Sequence, residues 1–127
     1  MKKIITPLIV FLLLTACGPG TKEVVYEWNG VKRDACYDYA LGINTLFRIQ
    51  NETGTRMNAL EGMSENDFQA ILNNAVDKKL ISRDSANKAK STSKAQMEEN
   101  FAHPERVPDF MNALAASAKT CVAAMRD

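Results

Sequence analysis

The sequence predicts an all-α fold, a small antiparallel bundle of about four helices, on three observations. Apolar residues recur at helical spacing in four separated stretches after residue 31. Helix-start and helix-stop signals stand between those stretches, with Ser64 and Ser82 as caps, Gly54 as a stop and Pro104 and Pro108 around a turn. Two cysteines mark the extremes: Cys36 near the start of the first stretch, Cys121 near the end of the last. An up-down-up-down order brings those two ends to one pole.

The N-terminus is of another kind. Met1-Lys2-Lys3 is basic, and Ile4 to Leu14 is apolar except for Thr6 and Pro7. A run this short falls below the ~20 helical residues that cross a bilayer, and it has the layout of an export signal. Leu14-Thr15-Ala16-Cys17 closes it, a leucine and two small residues before a thiol. The motif resembles the lipobox of bacterial lipoproteins, whose cysteine takes diacylglycerol and becomes the first residue of the mature chain. The alternative is an ordinary secretory signal in which Cys17 is incidental. The resemblance covers the first seventeen residues and implies a signal peptide over 1–16. It also implies three acyl chains on Cys17, more than stable membrane anchoring requires. Gly18 stands where lipoproteins kept at the inner membrane of enteric bacteria carry Asp. By that analogy the protein is anchored in the outer membrane, facing the periplasm.

Residues 17–30 follow as a lipidated tether, rich in breakers over Gly18-Pro19-Gly20. Glu23 to Trp28 reads as a brief extended segment or as loop packed on the domain. Asn29-Gly30 turns the chain, and no β-hairpin is expected. The helical domain spans 31–127. In its first helix Cys36, Ala40, Ile43 and Phe47 share a face, Asp34 or a neighbour caps the start, and Gly54 ends it. Thr55 to Met63 is ambiguous, a short turn around Met57, Leu60 and Met63.

Ser64 with Asp67 makes a capping box variant. Behind it Phe68, Ile71, Leu72, Ala75 and Val76 form the cleanest amphipathic face in the chain. Ser82 caps a long polar helix to about Ala102. Its expected face is thin (Ala86, Ala89, Met97 and Phe101, with Ser93 among them), so it packs on few side chains or frays around Ser91-Thr92-Ser93. The last helix runs from about Asp109 to Met125, with Phe110, Leu114, Ala118, Cys121, Val122 and Met125 on one side.

Lipidation of Cys17 and export leave Cys36 and Cys121 in an oxidising compartment, where two thiols have one connectivity. One disulfide stapling the bundle is the expectation, and its alternative is a pair of buried thiols packed as small hydrophobes. Closing a loop of 85 residues contributes roughly 4–5 kcal/mol in the chain-entropy account. The frame from Cys36 to Cys121, with Phe101-Ala102-His103-Pro104 and Phe110 before the second cysteine, weakly resembles small uncharacterised helical periplasmic proteins of proteobacteria and their phages. That resemblance implies no activity.

Loss of Lys2 and Lys3 with the signal leaves 14 basic against 15 acidic side chains. With no basic stripe, nucleic-acid binding is disfavoured, because it rests first on phosphate neutralisation. His103 is the single histidine and precedes Pro104, which suits a helix end better than a catalytic centre. Glu98 and Glu99 point in different directions on a helix, and Glu105 and Asp109 lie too loosely around His103 for a metal site. No catalytic residue, metal or cofactor is expected. All four Trp and Tyr residues lie between 26 and 39: Tyr26, Trp28, Tyr37 and Tyr39. Such residues concentrate binding energy at protein interfaces. The plainer account packs them where tether meets bundle.

The expectation is an envelope lipoprotein held to the membrane by its lipid and acting as a non-enzymatic protein-binding module, in its sharper form an inhibitor, immunity or exclusion protein. Its alternatives are a structural or assembly accessory of the cell envelope and, third, a small periplasmic hydrolase.

Overall fold

The computed structural model describes residues 21–127; the expected signal peptide and lipobox, Cys17 included, lie outside them. The described chain is mostly helical, with four α-helices and a small two-stranded sheet.

The face carried by Cys36, Ala40, Ile43 and Phe47 becomes the centre of the molecule. Those residues belong to α1 (Ala35–Thr53), and all four are buried. Asp34 caps it, its carboxylate accepting from the Tyr37 N–H at 3.1 Å. Gly54 ends it at φ 75°, the left-handed conformation that glycine adopts without a Cβ penalty. A 3₁₀ turn over Asn58–Leu60 fills the ambiguous stretch and buries Leu60.

The second helix, α2 (Glu65–Asp77), starts at a complete capping box between Ser64 and Asp67. Its Phe68 packs edge-on against Tyr39 at 5.5 Å and against Phe47 at 6.3 Å, and so fixes α2 on α1. Helix α3 (Arg83–Ala102) is capped by Ser82 and continuous through Ser91-Thr92-Ser93, which do not fray. Pro104–Arg106 form a second 3₁₀ turn, and α4 (Val107–Met125) follows with Pro108 in its first turn.

Contacts near the helix ends fix the arrangement. Asn51 near the end of α1 donates to Glu65 at the start of α2 (3.2 Å). Lys78, just past α2, donates through Nζ to the Met125 carbonyl at the end of α4. Cys36 and Cys121 are bonded, with their Cα atoms 4.9 Å apart, so α1 begins where α4 ends. The order is up-down-up-down. Helix α3 starts within a few residues of the end of α2, beside the end of α4, and leads through one 3₁₀ turn to the start of α4, so it runs against α4 and along α1. The most extensive contacts of α1 are with α3 and α4. Gly42 permits the approach of α4: a Cβ there would stand 2.5 Å from Leu114 Cδ1. Small buried residues of α3 (Ala86, Ala89 and Ser93) do the same on the other side.

Two expectations are corrected. A β-hairpin is present: β1 (Val25–Trp28) pairs antiparallel with β2 (Val31–Asp34) in the register Tyr26↔Arg33 and Trp28↔Val31. Its two-residue turn, Asn29-Gly30, has φ 52° and 79°, the positive pair that a primed hairpin turn requires. The strand β2 escapes sequence reading because Val-Lys-Arg-Asp is almost wholly exposed and shows no apolar alternation. The domain therefore takes in residues before Val31, and Lys22 N–H already bonds the Lys79 carbonyl at 2.6 Å. The other correction concerns α3, where Phe101 is 49% exposed and Asn100 is the buried residue.

Candidate functional site

A two-stranded hairpin is marginal in water and needs something to lean on. Here it is tied to α1 by one carboxylate. Tyr26 Oη donates to Asp38 Oδ2 at 2.7 Å, while Arg33 donates through Nε at 2.6 Å and Nη2 at 3.0 Å to the two oxygens of the same group. The fork geometry suits a guanidinium against a carboxylate. Burial first, then the hydrogen bond to Asp38 and its charge, push the Tyr26 hydroxyl up to about 12. The hydrogen bond to Asp38 likewise pushes Arg33 above its ordinary value. Tyr26 is therefore a lasting donor and not a base. Nearby, burial raises the Asp34 carboxyl, although backbone N–H groups of Tyr37 and Cys36 pull it down.

The hairpin held in this way becomes one wall of a groove of about 470 Å³. Tyr26 and Trp28 form that wall, Leu41 and Gly42 of α1 the floor, and Asn100 of α3 with Phe110 and Leu114 of α4 the far side. Arg106 and Asp109 also border it. The volume falls in the usual range of ligand sites, roughly 300–1,000 Å³, and the exposed lining is mostly apolar although Asn29, Gln96, Asn100 and several charged side chains border it. Its charges are largely matched within the chain: Arg33 with Asp38, and Arg106 with Glu99 at 2.7 Å.

Asn100 is the exception to this matching. It is 7% exposed, its Oδ1 accepts from Gln96 Nε2 at 2.9 Å, and its Nδ2 has no partner among the described residues. A buried donor left unsatisfied costs about 1–3 kcal/mol, so such a group asks for an explanation.

The four aromatic residues separate. Tyr39, 4% exposed, is core and packs on Phe68. Buried Tyr26 anchors the hairpin with its hydroxyl and turns its ring to the groove. Tyr37 packs partly buried against the core, and Trp28 is the half-buried face of the groove wall. His103 caps the end of α3, its Nδ1 3.4 Å from Glu105 Oε2, both side chains well exposed. Cys36 and Cys121 are joined to each other and buried. No group of three or more His, Cys, Asp or Glu side chains stands together for a metal among the described residues, and none of their helices is long and apolar enough to cross a membrane. Sequence reasoning missed Asn100, Phe110 and Leu114 as neighbours of Trp28. Only the Asn29-Gly30 turn signalled that a hairpin would bring them together.

The fold and groove define a disulfide-stapled four-helix domain with an appended hairpin. No protein-family model, curated protein or solved structure matches the chain.

Proposed function

We propose that this chain is an exported envelope lipoprotein, anchored through Cys17 in the outer membrane, that works as a non-enzymatic module binding a protein partner in the Trp28 groove. The observation that carries the reading is the groove itself: an aromatic, mostly apolar concavity whose charged side chains, Asp109 apart, are held in ion pairs with each other. Arg33 and Asp38 spend their hydrogen bonds on fixing the wall, which suits recognition better than proton transfer. Aromatic anchors in a concave, partly desolvated setting are where interfaces concentrate their energy. In its sharper form the module is an inhibitor, immunity or exclusion protein, whose small domain is displayed from the membrane by the lipid.

The test combines anchor and groove. A photo-crosslinking residue replacing Trp28 is expected to trap one defined partner in intact envelopes, and Phe110→Ala in the same chain to reduce the yield severalfold. Mass analysis of the N-terminal peptide is expected to show acyl chains on Cys17. A crosslink whose yield ignores Phe110→Ala contradicts the groove as the contact, and an N-terminal peptide without lipid contradicts the anchor.

A further inference from the structure

We infer that one side of α3 lies on the headgroups of an anionic bilayer, the one that holds Cys17, and that the groove therefore opens toward the aqueous side. The inference rests on the anchor reading above and adds the direction from which the partner must come.

Three observations lead there. The first is a stripe. Helix α3 is unbroken through Ser91-Thr92-Ser93, so Lys90, Lys94 and Phe101 follow Arg83 by about two, three and five helical turns, within about 20° of one line. All four are exposed, Phe101 to 49%. Composition does not reveal this, since the chain is nearly neutral and only a continuous helix lines the cations up. The expectation of no basic stripe is thereby corrected.

The second is charge. Between Ser85 and Met97 the chain carries Lys88, Lys90 and Lys94 and no acid. Neither these lysines nor Arg83 have an ion-pair partner among the described residues, and Arg83 donates to the neutral Asn73 at 2.9 Å. Asp84 and Glu98, the acids of α3 nearest the stripe, stand about 100° and 60° round from it. Free cations with an exposed aromatic at one end suit an interfacial helix on anionic headgroups. Three aligned cations fall short of the six to ten or so phosphate contacts of a strong nucleic-acid binder.

The third is the tether. Lys22 bonds the Lys79 carbonyl through its N–H at 2.6 Å. It lies five residues after Cys17, so at most about 18 Å of chain separates the body from the anchor. Helix α3 starts four residues after Lys79. The stripe thus begins beside the point where the chain leaves for the membrane. A helix about 30 Å long brings its far end, Phe101, to the headgroups only by lying along them.

The groove is on the other side. Gln96 and Glu99, which line it from α3, stand about 220° and 160° round from Arg83. With the stripe down, the groove faces away from the bilayer.

Tryptophan quenching tests this on the mature chain as recovered from cell membranes. The protein is incorporated into phosphatidylglycerol vesicles carrying a spin label on the headgroup, which quenches nearby tryptophan. Trp28 is the single tryptophan of the chain, and its emission is expected to be spared. A second chain carrying Trp28→Phe and Phe101→Trp is expected to be quenched severalfold more. In phosphatidylcholine vesicles the contrast should vanish. Lys90→Glu with Lys94→Glu, made in that second chain, removes two cations worth about fivefold each at an anionic surface. The face-down population should then fall by at least about 25-fold, and quenching at position 101 should drop to its phosphatidylcholine level. Circular dichroism checks that the variants keep their helices. Equal quenching at positions 28 and 101 overturns the inference, as does a contrast that survives the charge reversal or persists in phosphatidylcholine. Loss of quenching at position 101 to dextran sulfate at equal anionic charge assigns the stripe to an anionic polymer and overturns the bilayer as its occupant. A chain that enters neither kind of vesicle overturns the anchor and the inference together. One that enters both and shows no contrast overturns the inference alone.

Discussion

The pole where α1 begins and α4 ends differs from the groove in how completely its groups are satisfied. At the pole, Cys36 and Cys121 are buried and bonded, Lys78 donates to the Met125 carbonyl at the end of α4, and the Ala35 N–H meets the Val24 carbonyl at 2.7 Å. In the groove, Trp28 is half exposed and Asn100 keeps an unpaired donor. A chain this short has one modest core, and much of its cohesion has to come from a few places. The pole is where this chain is closed covalently, whereas the groove side keeps a half-exposed Trp28 and an unpaired amide donor.

The largest effect expected from breaking that contrast is at the disulfide. Dithiothreitol or Cys121→Ala removes the tie between first and last helices, worth at most roughly 4–5 kcal/mol for a loop of this length. At about 4–8 °C per kcal/mol for a domain of this size, Tm should fall by well over 10 °C. A Tm indifferent to reductant would mean that α1 and α4 are held by packing alone.

A smaller effect is expected at the hairpin and depends on pH. The folded state holds the Tyr26 hydroxyl at about 12 against an ordinary value of about 10. For an acid raised in this way, the neutral form favours folding. The contribution is complete below about pH 10 and is lost as pH rises through about 12. Tyr26→Phe should remove this alkaline dependence and weaken hairpin docking, seen as faster amide exchange at Val31–Asp34. Equal alkaline profiles for wild type and variant would show that the hydroxyl does not hold the hairpin.

Much of the framework was legible in the sequence because it is local. Asp34, Ser64 and Ser82 cap the helices expected of them, Gly54 stops α1, and the apolar spacing of Phe68, Leu72 and Ala75 gives the buried side of α2. The cysteine positions placed the start of α1 beside the end of α4, since helix-end residues that bond must share a pole, but they left the direction of α3 undetermined, and its short connections settle it. The hairpin was not legible in its second strand: Lys32 and Arg33 have no interior face to reveal by alternation. The face of α3 was misread toward its end for a geometric reason. Steps of four residues from Ala89 through Ser93 and Met97 to Phe101 advance about 40° too far each turn, whereas Ala86, Ala89, Ser93 and Asn100 stay in phase. Polarity then hid Asn100, because an amide is not where sequence reading looks for the interior. The groove joins residues from 26 to 114, and nothing local announces such a meeting.

The most direct test of the division between pole and groove compares Trp28→Ala with Phe68→Ala in both stability and partner capture. Phe68 is fully buried between Tyr39 and Phe47, and its truncation should cost about 3–5 kcal/mol. Trp28→Ala should lower Tm by clearly less and yet abolish capture of the partner from intact envelopes by chemical crosslinking at normal protein abundance. If Trp28→Ala unfolds the domain as severely as Phe68→Ala, or if capture survives it undiminished, the groove is part of the stabilising core and the binding account is contradicted.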